Sequence, residues 1–246
     1  MRTGCVIAAV MALGLPWPAA SQEKPPAWDL KLGFSYLATS GNTDTSSAGF
    51  DARYVQDGED WGLEATAAAV RATRNDRETA ESYNAQLRGR HKLDGMELTF
   101  GLRGERNRFA GIDSRTIFDT SLLRPLFQSP TWKLQSLTGL SWTREHPRGS
   151  QPFQDSLGGL LQLQTNGKLS PTSELTGLAT WYPDLEDSAD YRLNGQVSLQ
   201  AQLNRHLGVR LACDVKYDNE PVRGFRRTDT SSTASLVVQL GRKSRS

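Results

Sequence analysis

Cysteine is almost missing: the chain of 246 residues has only Cys5 and Cys213. Cys5 falls inside the N-terminal apolar run, so removal of that run leaves Cys213 alone and no intramolecular disulfide is possible. Cys213 alternates with other apolar residues, which fits a small hydrophobe better than a reactive thiol. Histidine is as sparse, with His91, His146 and His206. No His/Cys cluster has metal-ligand spacing, so neither a metal nor a cofactor is expected. The acids Asp184, Glu186, Asp187 and Asp190 could hold a cation but read as an acidic surface loop. No Gly-x-Ser-x-Gly and no His-x-Ser arrangement occurs. Only His146, near Ser141, Glu145 and Asp155, could serve a hydrolase. No catalytic residue is assigned, and a non-enzyme is expected. One-sided charge is lacking too. The net charge is +2, and with only a pI of 8.6 in its favour no nucleic-acid partner is expected.

Long apolar runs are confined to the N-terminus. Arg2 precedes Val6 to Leu15, and Ala19-Ala20-Ser21 offers small residues for a peptidase. Residues 1–21 therefore read as an export signal cut before Gln22, too short to be a spanning helix. The chain is 37% apolar with mean hydropathy −0.52, too polar for a helical membrane protein. A barrel that turns every second residue to lipid tolerates that composition. No segment keeps a 3.6-residue apolar period, so helices are not expected.

Strict alternation is what the sequence has. From Tyr191 to Tyr217, Leu193, Val197, Leu199, Leu203, Val209, Leu211 and Val215 alternate with Arg192, Asn194, Gln196, Gln200, Arg210, Asp214 and Lys216, around a turn at Asn204-Arg205-His206. A period of two sends the two sets to opposite faces. The pattern recurs from Trp28 to Leu240 and predicts about twelve strands. We expect an all-β, antiparallel up-and-down transmembrane barrel over 28–241, after a leader at 22–27 and before a basic tail at 242–246. The phase of the sixth strand is ambiguous, because Leu123 falls among polar positions and Arg124 among apolar ones; a bulge would reconcile them.

Tight turns are expected at every second connection: Asp57-Gly58, Asp94-Gly95, Ser129-Pro130, Asn166-Gly167 and Asn204-Arg205. The others, such as the charged Arg74 to Glu78, should be longer. Short turns on one rim and long loops on the other are the outer-membrane pattern. Trp28, Tyr54, Trp61, Phe127 and Trp132 fall near the short-turn rim, and Tyr83, Phe109, Phe118, Trp142, Trp181, Tyr191, Tyr217 and Phe225 near the loop rim. These read as two interfacial girdles. Periodicity alone does not say which face of the strands is inside; the export signal, the strand number and the girdles favour apolar-out.

Leu32-Gly33-Phe34-Ser35 leading into Ser40-Gly41-Asn42-Thr43, behind an export signal and ahead of antiparallel strands, resembles the YdiY-like family of salt-induced outer-membrane proteins. The resemblance implies an outer-membrane β-barrel and carries no settled activity; outer-membrane lipid, lipopolysaccharide and the barrel-assembly machinery are the expected partners. The chain departs from the usual barrel ending, since a basic tail rather than a terminal aromatic follows Leu240.

The polar face supplies candidate lumen residues: Lys31, Arg53, Glu64, Arg88, Arg90, Glu97, Arg103, Arg192, Gln196, Gln200, Arg210, Asp214 and Lys216. Mixed signs fit either a salt-bridged filling or a small polar channel. Arginine crowds the loop rim, where Arg74, Arg77, Arg108, Arg226 and Arg227 are candidate contacts for lipopolysaccharide phosphate, which guanidinium groups bind bidentately. The expected function is a passive small-solute or ion channel, or an envelope-integrity protein; the resemblance implies a link to salt or osmotic conditions. The alternative is a barrel enzyme acting on lipid or peptide at the extracellular rim.

Overall fold

Alternating residues become strands along the whole described chain. The computed structural model describes residues 27–39, 45–75, 77–108, 110–149 and 152–242. The expected export signal, most of the leader, Ser40 to Thr43, Phe109 and the end of the basic tail lie outside them. The strands are β1 (Ala27–Thr39), β2 (Thr45–Asp57), β3 (Trp61–Arg74), β4 (Arg77–Leu93), β5 (Met96–Asn107), β6 (Ile112–Gln128), β7 (Trp132–Pro147), β8 (Gln154–Ser170), β9 (Ser173–Pro183), β10 (Tyr191–Gln202), β11 (Leu207–Asp218) and β12 (Thr228–Arg242). Each pairs antiparallel with its sequence neighbours, and β1 closes on β12 in register Trp28↔Arg242 to Phe34↔Leu236.

Burial settles which face is inside. On β10 and β11, Leu193, Val197, Leu199, Val209, Leu211 and Val215 are exposed, while Gln200 is buried. On β6, Arg115, Ile117, Asp119, Ser121 and Leu123 are buried, and Phe118 between them is exposed. A soluble barrel would bury the first set and solvate the second. Apolar residues outside and polar residues inside, on a barrel with no free strand in its order, are what a lipid solvent demands.

Three local expectations change. Asn166-Gly167 is not a turn: β8 continues to Ser170, and the reversal falls at Pro171-Thr172. There the Ser170 and Ser173 hydroxyls share a hydrogen bond of 2.7 Å, and Pro171 supplies a break no central strand position tolerates. Gly167 instead leaves room for Trp132, whose ring a Cβ at that position would strike. The charged stretch from Arg74 to Glu78 is not a long loop, because β3 and β4 extend to Arg74 and Arg77. Asn75, at φ 47°, makes the reversal, a conformation asparagine tolerates better than most residues. Asp57-Gly58 lengthens into a turn that includes Glu59 and Asp60, closed by the Gly58 amide donating to the Trp61 carbonyl at 2.8 Å. Asp94-Gly95 remains tight, with Gly95 at φ 71°. The ambiguous sixth strand resolves as a register shift between Pro125 and Phe127. Upstream of it Leu123 points inward and Arg124 outward.

Candidate functional site

The thirteen polar residues named above all fall on the inward alternation, and most meet a partner there. Arg53 donates to Glu64 at 2.8 Å, Arg103 to Gln86 at 2.7 Å and Gln196 to Asp214 at 2.5 Å, each on an adjacent strand. Other partners lie further off. Arg88 on β4 reaches Asp119 on β6 at 2.9 Å, Arg90 on β4 reaches Asp57 on β2 at 2.5 Å, and Arg210 on β11 bonds Asp51 on β2. Each path passes over an inward glycine: Gly101, Gly62 and Gly33 in turn. A Cβ on any of these would collide with the arginine or carboxylate above it. Bare backbone there lets a guanidinium lie flat across the barrel wall.

Longer pairs cross the lumen. Near the loop rim Lys216 on β11 meets Glu105 on β5 at 2.6 Å, and Arg192 on β10 lies 3.9 Å from Glu145 on β7. Arg115 on β6 joins Glu145 at 2.6 Å, Glu105 at 3.9 Å and Asp218 at 3.6 Å. At the other end Lys31 on β1 lies 3.8 Å from Glu174 on β9. Beside it a chain runs from Gln202 through Gln239 to Asp29, at 3.1 and 2.9 Å. Arg115, Glu145 and Asp218 were not on the list of lumen candidates. Two-residue steps from Asp119 and Ile117 put Arg115 on the inner face.

The lumen is unequally filled. Along β5–β9 the inward side chains pack: Leu123, Leu137, Leu160 and Tyr182 form a buried cluster, joined by buried Thr99, Ser141, Thr143, Gln162 and Thr180. This apolar cluster breaks the alternation, with Leu137 between Ser136 and Thr138 and Leu160 between Gly159 and Leu161. Along β2, β3 and β10, by contrast, Arg53, Val70 and Gln196 point inward yet are exposed. Over the mouth, Val222 and Phe225 from the β11–β12 loop close on Gly111 at the β5–β6 turn. Phe225 is thus part of a cover and not of a lipid girdle. Beneath it lies a cavity of about 50 Å³ lined by Arg115, Tyr182, Arg192, Lys216, Arg226 and Arg227, room for little more than a water molecule or two.

Rim residues divide. Arg226 and Arg227 line that cavity at the mouth, whereas Arg74 and Arg77 sit exposed at the tip of the β3–β4 hairpin. Arg108 donates to Glu81 at 3.1 Å. His146 stacks on Phe153 with ring centroids 4.6 Å apart, and Arg144 lies over the same ring at 4.9 Å. Ser141 is buried with the inward set and Glu145 is held by Arg115, so neither converges on His146, and Asp155 lies 3.9 Å from Arg144. In the β9–β10 loop, the Asp184 carboxylate accepts the Glu186 and Asp187 amides at 2.7 and 3.1 Å, and Asp187 accepts Ala189 at 2.9 Å. These acids act as turn caps. Burial pushes the Asp190 carboxyl above its ordinary range, against the opposing pull of Arg192. Among the described residues no group of three or more His, Cys, Asp or Glu is placed to hold a metal.

A closed antiparallel barrel with an exposed apolar outer face and a charged interior is a transmembrane β-barrel of the outer-membrane class. The model of DUF481, a protein family of unknown function, matches residues 32–240, and the chain belongs to that family. It is 26% identical over 228 residues to the uncharacterized protein YdiY of Escherichia coli (strain K12), covering 90% of this chain and 86% of that one. Among solved structures it is similar to an outer membrane channel from Pseudomonas putida F1, with 11% identity, 89% of this chain and 96% of that chain covered, and a TM-score of 0.52. That likeness is one of fold. The NanC porin matches at a TM-score of 0.45 and 13% identity, over 87% of this chain and 98% of that one.

Proposed function

We propose that this protein stands in the outer membrane, short turns to the periplasm, as a narrow passage for ions and small polar solutes whose opening depends on salt. The observation that carries the reading is the set of three ionic crossings over a partly solvated lumen: Lys216–Glu105 and Arg115–Asp218 at one end, Lys31–Glu174 at the other. Several of these groups keep contact with solvent, with side-chain exposures of 43% for Lys216 and 33% for Glu174. Counter-ions can therefore compete for them. The screening length falls from about 8 Å at physiological ionic strength to about 3 Å at 1 M, so salt weakens the crossings and widens the polar lane. A link to salt or osmotic conditions follows from that sensitivity.

Planar-bilayer recording tests this. Small steps are expected, with a conductance that rises more steeply with KCl than the bulk solution does. Silence across the salt range would replace the channel by a filled barrel that serves envelope integrity. In the same reading, Arg74 and Arg77 at the tip of the β3–β4 hairpin are proposed to meet the phosphates of outer-leaflet lipopolysaccharide.

A further inference from the structure

The barrel is closed by a seam that is only partly sewn. β1 and β12 pair from Trp28↔Arg242 to Phe34↔Leu236 and no further. Above that rung, residues 35–39 of β1 pair with β2 alone, and residues 228–235 of β12 pair with β11 alone. The register would set Tyr36 against Ala234, but those positions do not join. Backbone N–H and C=O groups therefore line both edges of a slot in the loop-side half of the wall. A bare strand edge is not viable in hydrocarbon, where each unsatisfied group costs several kcal/mol.

The side chains change character at the same height. On β12 the lipid-facing positions run Leu240, Val238, Leu236, Ala234 and then Ser232, Thr230 and Thr228. The last three are exposed. Tyr36, at 74% exposure, stands on the other lip, and below the slot Phe34 packs against Phe50 at 5.3 Å. Behind the last paired rung the Arg210 guanidinium bonds the Asp51 carboxylate and lies 3.5 Å from the Ser235 hydroxyl, over the bare backbone of Gly33. The slot thus has an apolar sill, a hydroxyl-rich lip, and a charged group waiting on the lumen side.

We propose that the upper β1–β12 seam is a lateral portal that takes the polar head of an outer-leaflet amphiphile into the lumen while its apolar tail stays in the bilayer. The head satisfies the free backbone edges and the Ser/Thr lip, and an anionic head competes with Asp51 for Arg210. This route is independent of axial conduction, and the two are read by different measurements.

Two experiments test it in a Cys213→Ser background. The first measures spin-label separations for Tyr36→Cys with Ala234→Cys, and for Leu32→Cys with Val238→Cys as a paired control, in vesicles. A paired antiparallel position holds Cα atoms about 5 Å apart. The seam pair is expected to be clearly longer and broader than the control; equal separations would mean the seam is shut and would overturn the portal. The second places a fluorophore on the inward Thr233→Cys, in vesicles of phosphatidylethanolamine and phosphatidylglycerol with a small share of head-group nitroxide lipid. Quenching is expected there and not at the inward control Thr66→Cys on β3. Equal quenching at both sites, or none at Thr233, overturns the proposal. A dimer in detergent that abolishes the quenching would instead make the edge a docking site for a second copy, and would also overturn it.

Discussion

Two walls of one barrel use the same alternation for different ends. Along β5–β9 the inward residues are buried, with Leu137 and Leu160 at 1% and 2% exposure and Arg88 sealed onto Asp119. Along β1–β3 and β10–β12 the inward residues are mostly polar; Arg53 and Gln196 touch solvent, while Gln200, Ser235 and Val237 are buried. One wall behaves as a protein core turned into a barrel, where volume and pairing are exacting. The other is wet where Arg53 and Gln196 stand, and there ion pairs contribute little to stability and are free to rearrange.

The contrast can be attacked from the packed side first. Asp119→Ala strands the Arg88 guanidinium, which is 8% exposed; breaking one half of such a pair costs about 3–5 kcal/mol. Urea unfolding in phospholipid vesicles should show a large drop in midpoint. A drop as small as that of a surface pair would mean water reaches this wall. Leu137→Ala follows, with an expected loss of about 2–5 kcal/mol. Because the cavity opens beside the lane, single-channel conductance should rise in the same variant. Gly167→Val pushes Trp132 out of its seat and should cost about 1–3 kcal/mol, read as a lower midpoint with shifted tryptophan emission.

Smallest in stability is Arg53→Ala on the wet wall. The Arg53–Glu64 pair is partly exposed, with side-chain exposures of 44% and 27%, so its loss should cost under about 1 kcal/mol. The same change should move the reversal potential toward cation preference by leaving Glu64 uncovered. A large stability loss with no change in selectivity would erase the distinction between the walls.

Much of this was legible in the sequence. Alternation through Leu193 to Val215 located strands, turns and the two faces, because a two-residue period has a single geometric meaning. Asn166-Gly167 misled because the pair is a turn signal only when the backbone needs positive φ. Here the glycine serves a close approach by Trp132, a demand from another strand that local sequence does not carry. Arg115 was missed as a lumen residue for a related reason. The phase of β6 was obscured by its bulge at Pro125–Phe127, and once the phase is known Arg115 falls inward with Asp119.

By itself, then, the sequence determined the strands and their two faces, one apolar and one charged, and the glycines that leave the charged face bare. These are set by period and composition within a few residues of chain. Only the tertiary structure decided which charges meet across the lumen, which wall packs solid, and where the β1–β12 seam stops pairing. Lys216 and Glu105 are 111 residues apart, and the rungs of a seam between the first and last strands depend on the tilt and stagger of the whole barrel. Such contacts are chords of a closed ring, and they come into being only when the ring closes.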